Sequence, residues 1–337
     1  MSGPRGGRHE PEPQIAASQQ GGDSGERGEV RMVPEEEVRN YYGRAVLKEP
    51  VWTWEIPWYF FFGGLAGVSA DLALVARLAG NDRLARRALL VALAGATVSP
   101  VLLISDLGRP ERFLNMLRVV KPTSPMSVGT WILSGFGPAT GLAAVSDLLG
   151  IFPRLGRACE AVSALLGPAL ATYPAVLITD TSIPVWHEAR RDLPLLFAAS
   201  SVASAGAAAA ILTPVEDAGP ARRLALGGAL VELGAAEVMK RRLGGFLAEP
   251  YEGGEAGRFD KLSRALSGVG AAVIALGGRR RRSAAVGGGA MILAGAVLER
   301  WSVFRAGFQS ARDPKYTVMP QRERLREQDG ARGGGGL

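Results

Sequence analysis

The feature that most constrains this chain is a series of eight apolar segments, each close to the length that crosses a lipid bilayer as one helix. They cover residues 57–76, 88–104, 127–149, 158–179, 193–213, 224–239, 264–278 and 284–303. About 20 apolar residues at roughly 1.5 Å rise each span the roughly 30 Å of hydrocarbon. The sixth and seventh segments are short and glycine-rich, so six or seven crossings are the alternatives. The sequence predicts an all-α, polytopic integral membrane helix bundle of about eight transmembrane helices.

Polar tails flank the apolar region. Residues 1–50 and 317–337 are rich in Gly, Gln and charged side chains, and such segments cannot bury enough apolar surface to offset the entropy of ordering. We therefore expect mostly disordered tails on either side of one membrane domain, residues 51–316. The N-terminal tail has no apolar signal-peptide core, so we expect the first membrane helix to direct insertion.

Small residues predict where the helices pack closely. Gly63 and Gly67 are spaced as GxxxG in the first segment, and Gly137 and Gly141 repeat that spacing in the third. Residues 200–210 are nearly all Ala and Ser. Close backbone approach supplies much of the packing energy between helices in lipid, so these residues predict tight helix contacts.

The charges of the loops predict an orientation. The short loops on one side carry a large excess of Arg over acidic residues, whereas the longer loops on the other side are nearly balanced; the first set is 77–87, 150–157, 214–223 and 279–283. Short loops rich in Lys and Arg favour the cytoplasmic side. We expect a multi-pass protein of a prokaryotic plasma membrane with both termini on the external face.

The chain has few cysteines and few histidines, and this limits the redox cofactors that it can bind by itself. Cys159 is the single cysteine, and His9 and His187 are the two histidines. An iron–sulfur cluster or a zinc site of the CxxC type needs at least two thiolates, and His9 lies in the polar tail. We therefore expect no haem and no iron–sulfur cluster in this chain. The formal net charge of +7 does not indicate nucleic acid, because the basic residues lie between apolar runs.

Candidate chemistry begins at the first segment, in VWTWEIPWYFFFGG. Its Trp residues and Tyr59 are typical of an aromatic belt that anchors a helix at the head groups. Glu55 lies among these rings, where it either complements the positive helix end or exchanges a proton or hydrogen bond with a ligand. Asp71 lies deeper in the same segment, where a charge is normally paired, protonated or functional.

Two further stretches place polar residues on the same side of the membrane. Asp106 ends the second segment and Arg109 follows a break at Gly108, so the pair either forms a salt bridge or lines a polar pocket. Residues 111–121 form a short amphipathic piece typical of an interfacial helix. Tyr173 lies within the fourth segment, and the loop after it returns a polar group to this side: Asp180, Trp186, His187 and Arg190.

Two carboxylates of the sixth segment, Glu232 and Glu237, join Asp71 as intramembrane acids. Such residues often line a proton path. Hydrogen bonding between helices is the alternative, and it is favoured for Glu237, which lies near the membrane edge beside Lys240.

These motifs resemble the NrfD/polysulfide reductase membrane-subunit family. The resemblance rests on YFFFGGLAG, SDLGRPERF, PTSPMSVGTW, TYPAVL, IPVWHEAR and RWSVFRAGFQSARDP, which occur in family order over residues 52–316. It implies a haem-free, eight-helix subunit that exchanges electrons between a quinone (menaquinone or ubiquinone) and an iron–sulfur, ferredoxin-like subunit. That partner is in turn connected to a molybdopterin-type catalytic subunit. This chain is then an electron-transfer subunit and not the catalytic one.

The resemblance also implies a quinone pocket near one membrane face, built from Glu55, Tyr59, Asp106, Arg109, Tyr173, Trp186, His187 and Arg190. The family often places an amide or a histidine near Glu55 or Tyr59, and this sequence has neither. Which residue exchanges the quinol proton therefore stays open among Glu55, Tyr59 and His187. A proton- or ion-coupled secondary transporter and a purely structural anchor are the alternative functions.

Overall fold

The computed structural model describes residues 46–107 and 111–322, and these form ten α-helices and one short 3-10 helix. The long helices are α1 (Glu55–Leu78), α2 (Asp82–Asp106), α4 (Pro125–Leu149), α5 (Pro153–Thr179), α7 (Leu193–Leu212), α8 (Gly219–Glu252), α9 (Gly254–Gly277) and α10 (Arg282–Arg312). The short ones are α3 (Glu111–Met116), α6 (Pro184–Glu188) and the 3-10 helix Ala189–Arg191. Each of the eight apolar segments falls on one long helix, so the all-α prediction is confirmed.

Five of these helices, α1, α2, α4, α5 and α7, have the length and apolar composition to cross a membrane. Helices α8, α9 and α10 are as long, but none of them contains a stretch of 18 residues that is as apolar and as poor in charge. The helical membrane bundle is thus established, while eight crossings stay a prediction for the last three helices.

The chain runs up and down, and the helix ends gather at two ends of the bundle. At one, the Thr53 end, the Thr53 N–H donates to Asp106 Oδ1 over 3.0 Å and joins the start of α1 to the end of α2. At the other, the Arg77 end, Arg77 Nε donates to Glu160 Oε2 over 2.7 Å and joins the end of α1 to the start of α5. The loops predicted to be cytoplasmic lie at the Arg77 end.

Glycines bring particular helices together. A Cβ on Gly67 of α1 would lie 2.4 Å from the carbonyl oxygen of Gly167 of α5, and one on Gly206 of α7 would lie 2.3 Å from a backbone nitrogen of α8. These contacts confirm the predicted packing of the first segment and of the Ala- and Ser-rich α7. The prediction for Gly137 and Gly141 is wrong, because no atom of the described chain lies within 4 Å of a Cβ at either position.

The last described residues, 315–322, are helical. They include the first residues of the predicted C-terminal tail. The remainder of that tail and nearly all of the N-terminal one lie outside the described residues.

Candidate functional site

Two tyrosine hydroxyls meet inside the bundle near the Thr53 end. Tyr59 lies in the second turn of α1 and Tyr173 near the end of α5; both are buried, at 1% and 8% exposure. Their hydroxyl oxygens are hydrogen-bonded to each other. Each hydroxyl carries one proton and their bond uses one of the two, so one O–H is left without an acceptor among the described residues. This pair is able to donate one hydrogen bond to a polar ligand.

Gly129 of α4 makes room for the ring of Tyr173. A Cβ at this position would lie 2.0 Å from Cε2 of the tyrosine, closer than any real contact. Helix α4 therefore forms one wall of the tyrosine site. Gly129 could not be identified from the sequence, because its contact with the Tyr173 ring depends on how α4 and α5 are rotated about their axes.

Thr53 connects two of the predicted site residues. Its hydroxyl lies 2.9 Å from Asp106 Oδ1 and also contacts Glu55 Oε2. Glu55 and Tyr59 are four residues apart, so they lie on the same face of α1 about one turn from each other. The structure thus brings Glu55, Asp106 and the tyrosine pair to one end of the bundle. Thr53 was missed in the sequence, where nothing distinguishes it from other polar residues at a helix start.

Trp186 is a packing residue whose polar group is already used. Its ring is fully buried, its Nε1 donates to the Val303 carbonyl over 2.7 Å, and it stacks on Trp52 with 5.8 Å between ring centroids. A Cβ on Gly307 would lie 2.0 Å from the Trp186 ring. The indole therefore fixes α6 against α10, and its N–H is not free for a ligand.

His187 and Arg190 lie on the exposed surface of the same segment. Nδ1 of His187 is 3.2 Å from the Thr179 carbonyl oxygen, and Arg190 donates to the His187 carbonyl over 3.1 Å. Arg109, the remaining predicted pocket residue, lies outside the described residues.

Glu232 belongs to a second buried polar group, among α7, α8 and α10. Ser200 donates to its Oε1 over 3.3 Å, while its Oε2 has no hydrogen-bond partner in the described part of the chain. The same serine lies near Glu299, whose Oε1 has no hydrogen-bond partner in the described part of the chain. Glu299 is in turn hydrogen-bonded to Arg300, and both are buried.

The arginine of this group is held in place by an aromatic ring. The Cζ atom of Arg300 lies 3.8 Å from the Phe197 ring centroid, and Nη2 donates to the Phe197 carbonyl over 3.0 Å. Sequence reasoning missed Glu299 and Arg300, although two adjacent charges inside an apolar segment are the signal that marks functional intramembrane residues.

The three residues predicted for a proton path are not brought together. Asp71 lies beside the α1–α5 crossing, with Oδ1 3.0 Å from the Cβ position of Gly167. The side chain of Glu237 is 45% exposed and pairs with Arg241 at 2.9 Å and Arg264 at 3.3 Å, as a surface residue does. Glu232 alone of the three lies in a buried polar group.

The fold and the site define an integral membrane protein of helical bundle type with a buried hydroxyl pair near one end. Residues 45–222 of the 337 match the family described as polysulphide reductase, NrfD, and the chain belongs to this family. The family consists in general of quinone-interacting membrane subunits of oxidoreductases. Searches of curated proteins and of solved structures each give no match.

The matched range includes every predicted quinone-pocket residue and ends before Glu232. The resemblance expected for the last three apolar segments is therefore outside the match. Within the described residues, no group of three His, Cys, Asp or Glu side chains is arranged to hold a metal ion.

Proposed function

We propose that this chain is the quinone-interacting subunit of a multisubunit oxidoreductase of a prokaryotic plasma membrane. The observation that supports this most directly is the buried pair of Tyr59 and Tyr173, which retains one hydroxyl proton to donate. A quinone presents carbonyl oxygens on an apolar ring, so it suits a site with apolar walls and a single well-placed donor. Family membership supports the same class of ligand.

Side chains near the two tyrosines accept and donate the protons of the quinone. A bound quinone supplies two-electron, two-proton chemistry, and Tyr173 donates a hydrogen bond to one of its oxygens. Glu55 is the proton acceptor that geometry favours, because it stands one turn from Tyr59 on the same helix face. Its carboxylate is held by the Thr53 hydroxyl. His187 is the second candidate, at the exposed surface of the same end.

Electrons leave at the Thr53 end in this proposal. The chain's scarcity of cysteine and histidine requires an acceptor on another protein, and we propose an iron–sulfur, ferredoxin-like subunit that contacts this end. A molybdopterin-type subunit bound to it would perform the catalysis. The exposed charged residues there, Asp180 and Arg190 among them, are suited to contact a soluble partner.

The test is to measure bound quinone and quinol oxidation for Tyr173→Phe and Tyr59→Phe in the purified complex. Phenylalanine keeps the ring and removes the hydroxyl, so we expect quinone content and quinol turnover to fall about tenfold, as for loss of one buried hydrogen bond. The matched control is Tyr316→Phe, a buried tyrosine that packs on Phe246 and takes no part in the Tyr59–Tyr173 pair. Retained quinone and turnover in both site variants would refute the pocket and favour a structural anchor.

A proton path through the second buried group is the further part of this proposal. Ser200 connects Glu232 with Glu299, and the buried Tyr251 hydroxyl, which has no described partner, lies within electrostatic range of Glu299 and Asp260. Asp260 pairs with Lys240 toward the Thr53 end. These groups form a series of carboxyls and hydroxyls that leads from the middle of the bundle to one end.

Glu232→Gln tests this path in proteoliposomes. Loss of a proton-transfer group should slow proton uptake by about 10²-fold, whereas Glu237→Gln on the surface of the same helix should leave uptake unchanged. Full quinol turnover with unchanged proton uptake in Glu232→Gln would rule the path out.

A further inference from the structure

A cavity of about 720 Å³ opens at the Arg77 end, on the opposite side of the bundle from the tyrosine pair. It lies where the ends of α1 and α4 meet the starts of α2 and α5. Its volume is in the range of small-molecule sites. Its polar lining consists of Arg77, Asp82, Asp147, Arg157 and Glu160.

One carboxylate oxygen of this lining lacks a donor. Arg77 binds Glu160 Oε2 through Nε at 2.7 Å and Asp147 Oδ1 through Nη2 at 3.0 Å. The Glu160 side chain is only 4% exposed, and its Oε1 has no hydrogen-bond partner in the described chain. A buried acceptor without a partner is destabilising, because its lost hydration is not replaced by a hydrogen bond. Oε1 therefore points to a donor that a bound molecule supplies.

One basic side chain of the cavity lining has no acidic partner among the described residues. Arg157 is exposed and stands three residues before Glu160, on the same face of α5, and no described carboxylate pairs with it. With Arg77 it faces three acids, Asp82, Asp147 and Glu160. Arg86, beside the cavity, pairs with Asp147 Oδ2 at 2.9 Å, so the charges around the cavity balance. Such a lining suits a ligand with both a positive and a negative group and disfavours one that is only negative.

We propose that this cavity binds the head group of a phospholipid that carries a primary ammonium and a phosphate, as phosphatidylethanolamine does. The ammonium is placed toward Glu160 Oε1, the oxygen that lacks a donor, and the phosphate toward Arg157, whose planar guanidinium suits phosphate oxygens. A quaternary ammonium is normally held by aromatic rings, and no aromatic residue lines this cavity. A choline head group therefore fits less well.

A lipid is favoured over a soluble compound with the same two groups. The cavity lies at the ends of membrane-crossing helices, at the level of the lipid head groups. Leu78, Leu149 and Phe152 beside it are 79%, 66% and 72% exposed. These apolar side chains provide a surface for acyl chains, which a soluble phosphoethanolamine does not have.

The experiment is native mass spectrometry of the full chain in detergent with equal amounts of phosphatidylethanolamine, phosphatidylglycerol and phosphatidylcholine. We expect the first to be retained about tenfold better than either other lipid, as for one charge-assisted hydrogen bond more. Arg157→Glu should lower the retention of phosphatidylethanolamine about tenfold, because the phosphate loses its guanidinium partner and meets a carboxylate. Arg154→Glu, an exposed position on the same helix outside the cavity lining, is the matched control and should retain the lipid as the wild-type chain does.

Three outcomes would overturn the proposal. They are equal retention of all three lipids by the wild-type chain, unchanged retention of phosphatidylethanolamine in Arg157→Glu, and displacement of the lipid by soluble phosphoethanolamine at millimolar concentration. The wild-type preference decides the matter even if Arg157→Glu does not fold. Glu160→Gln gives a second check, because it removes the negative charge that faces the ammonium and should reduce the preference.

Discussion

At the scale of single residues, short hydroxyl side chains connect the carboxylates of this bundle. Thr53 contacts both Glu55 and Asp106, and Ser200 lies within reach of both Glu232 and Glu299. One hydroxyl donates a single proton, so it satisfies one of its two carboxylates at a time. The Thr53 N–H still holds Asp106 when the hydroxyl turns to Glu55. Glu55 therefore gains a donor, while Asp106 keeps one of its two donors from Thr53.

The Tyr173 ring gives a sharp residue-scale prediction through Gly129. In Gly129→Ala the new methyl group would collide with the ring, so the ring must move. We expect a loss of about 1–3 kcal/mol in stability, as for an overpacked core, together with loss of bound quinone. Thermal unfolding in detergent and quinone extraction measure the two effects.

Gly137→Ala is the control for this prediction. It lies on the same helix, and a Cβ there meets no described atom within 4 Å. We expect unchanged quinone content and stability that is equal or slightly higher, since alanine favours the helix. Equal behaviour of the two variants would show that the Tyr173 ring is not confined by α4.

At the scale of elements, α8 is two helices joined at Gly244. This glycine has φ 71° and ψ 168°, a conformation that is essentially restricted to glycine. The break separates the part that carries Glu232 from the part that carries Tyr251. The direction of the second part, and thus the position of the Tyr251 hydroxyl, depends on the conformation of one residue.

Gly244→Ala should therefore destabilise the end of α8. Alanine in this conformation costs about 1–3 kcal/mol, and we expect faster hydrogen exchange in residues 245–252. Gly245→Ala, at the adjacent position without a positive φ, should be neutral or stabilising by about 0.4–1 kcal/mol. Equal exchange in both variants would mean that the break does not depend on glycine.

At the scale of the whole molecule, the open question is how the last three long helices relate to the membrane. If α9 crosses, Gly253 and Arg280 lie on opposite sides. In a Cys159→Ser background, we expect a membrane-impermeant maleimide to label Gly253→Cys in intact cells, while Arg280→Cys reacts only after permeabilisation. Labelling of both from outside would contradict the crossing of α9, and the reverse pattern would contradict the orientation with external termini.

The fold could be predicted further than the site, and the reason is physical. Apolar length is a local property, so every predicted segment appears as a long helix. Contacts between helices depend on their rotation, which no single segment encodes. Tyr59 and Tyr173 were each predicted as pocket residues, but their hydrogen bond joins positions 114 residues apart. Trp186 was predicted as a pocket residue, but its indole N–H donates a hydrogen bond to the Val303 carbonyl.

The buried charged residues show the same limit of prediction from sequence. Glu237 and Glu232 are five residues apart on one helix, and the sequence offers little to tell which is buried. The structure exposes the first beside two arginines and buries the second beside Glu299. Arg300 was overlooked within an apolar segment, although it is the buried cation that neutralises this group.

The ring of Phe197 lies close to both buried polar groups, the group of Glu232, Glu299 and Arg300 and the pair of Tyr59 and Tyr173. The Cζ atom of Arg300 lies 3.8 Å from the centroid of the Phe197 ring, and the centroid of the Phe60 ring, which contacts the ring of Tyr59, lies 5.7 Å from it. A packed ring transmits displacement, because the interior leaves little free volume. A shift of Arg300 when Glu299 changes its charge would press on the rings beside the tyrosine pair. We therefore expect a change of charge at Glu299 to alter the packing around the tyrosine pair.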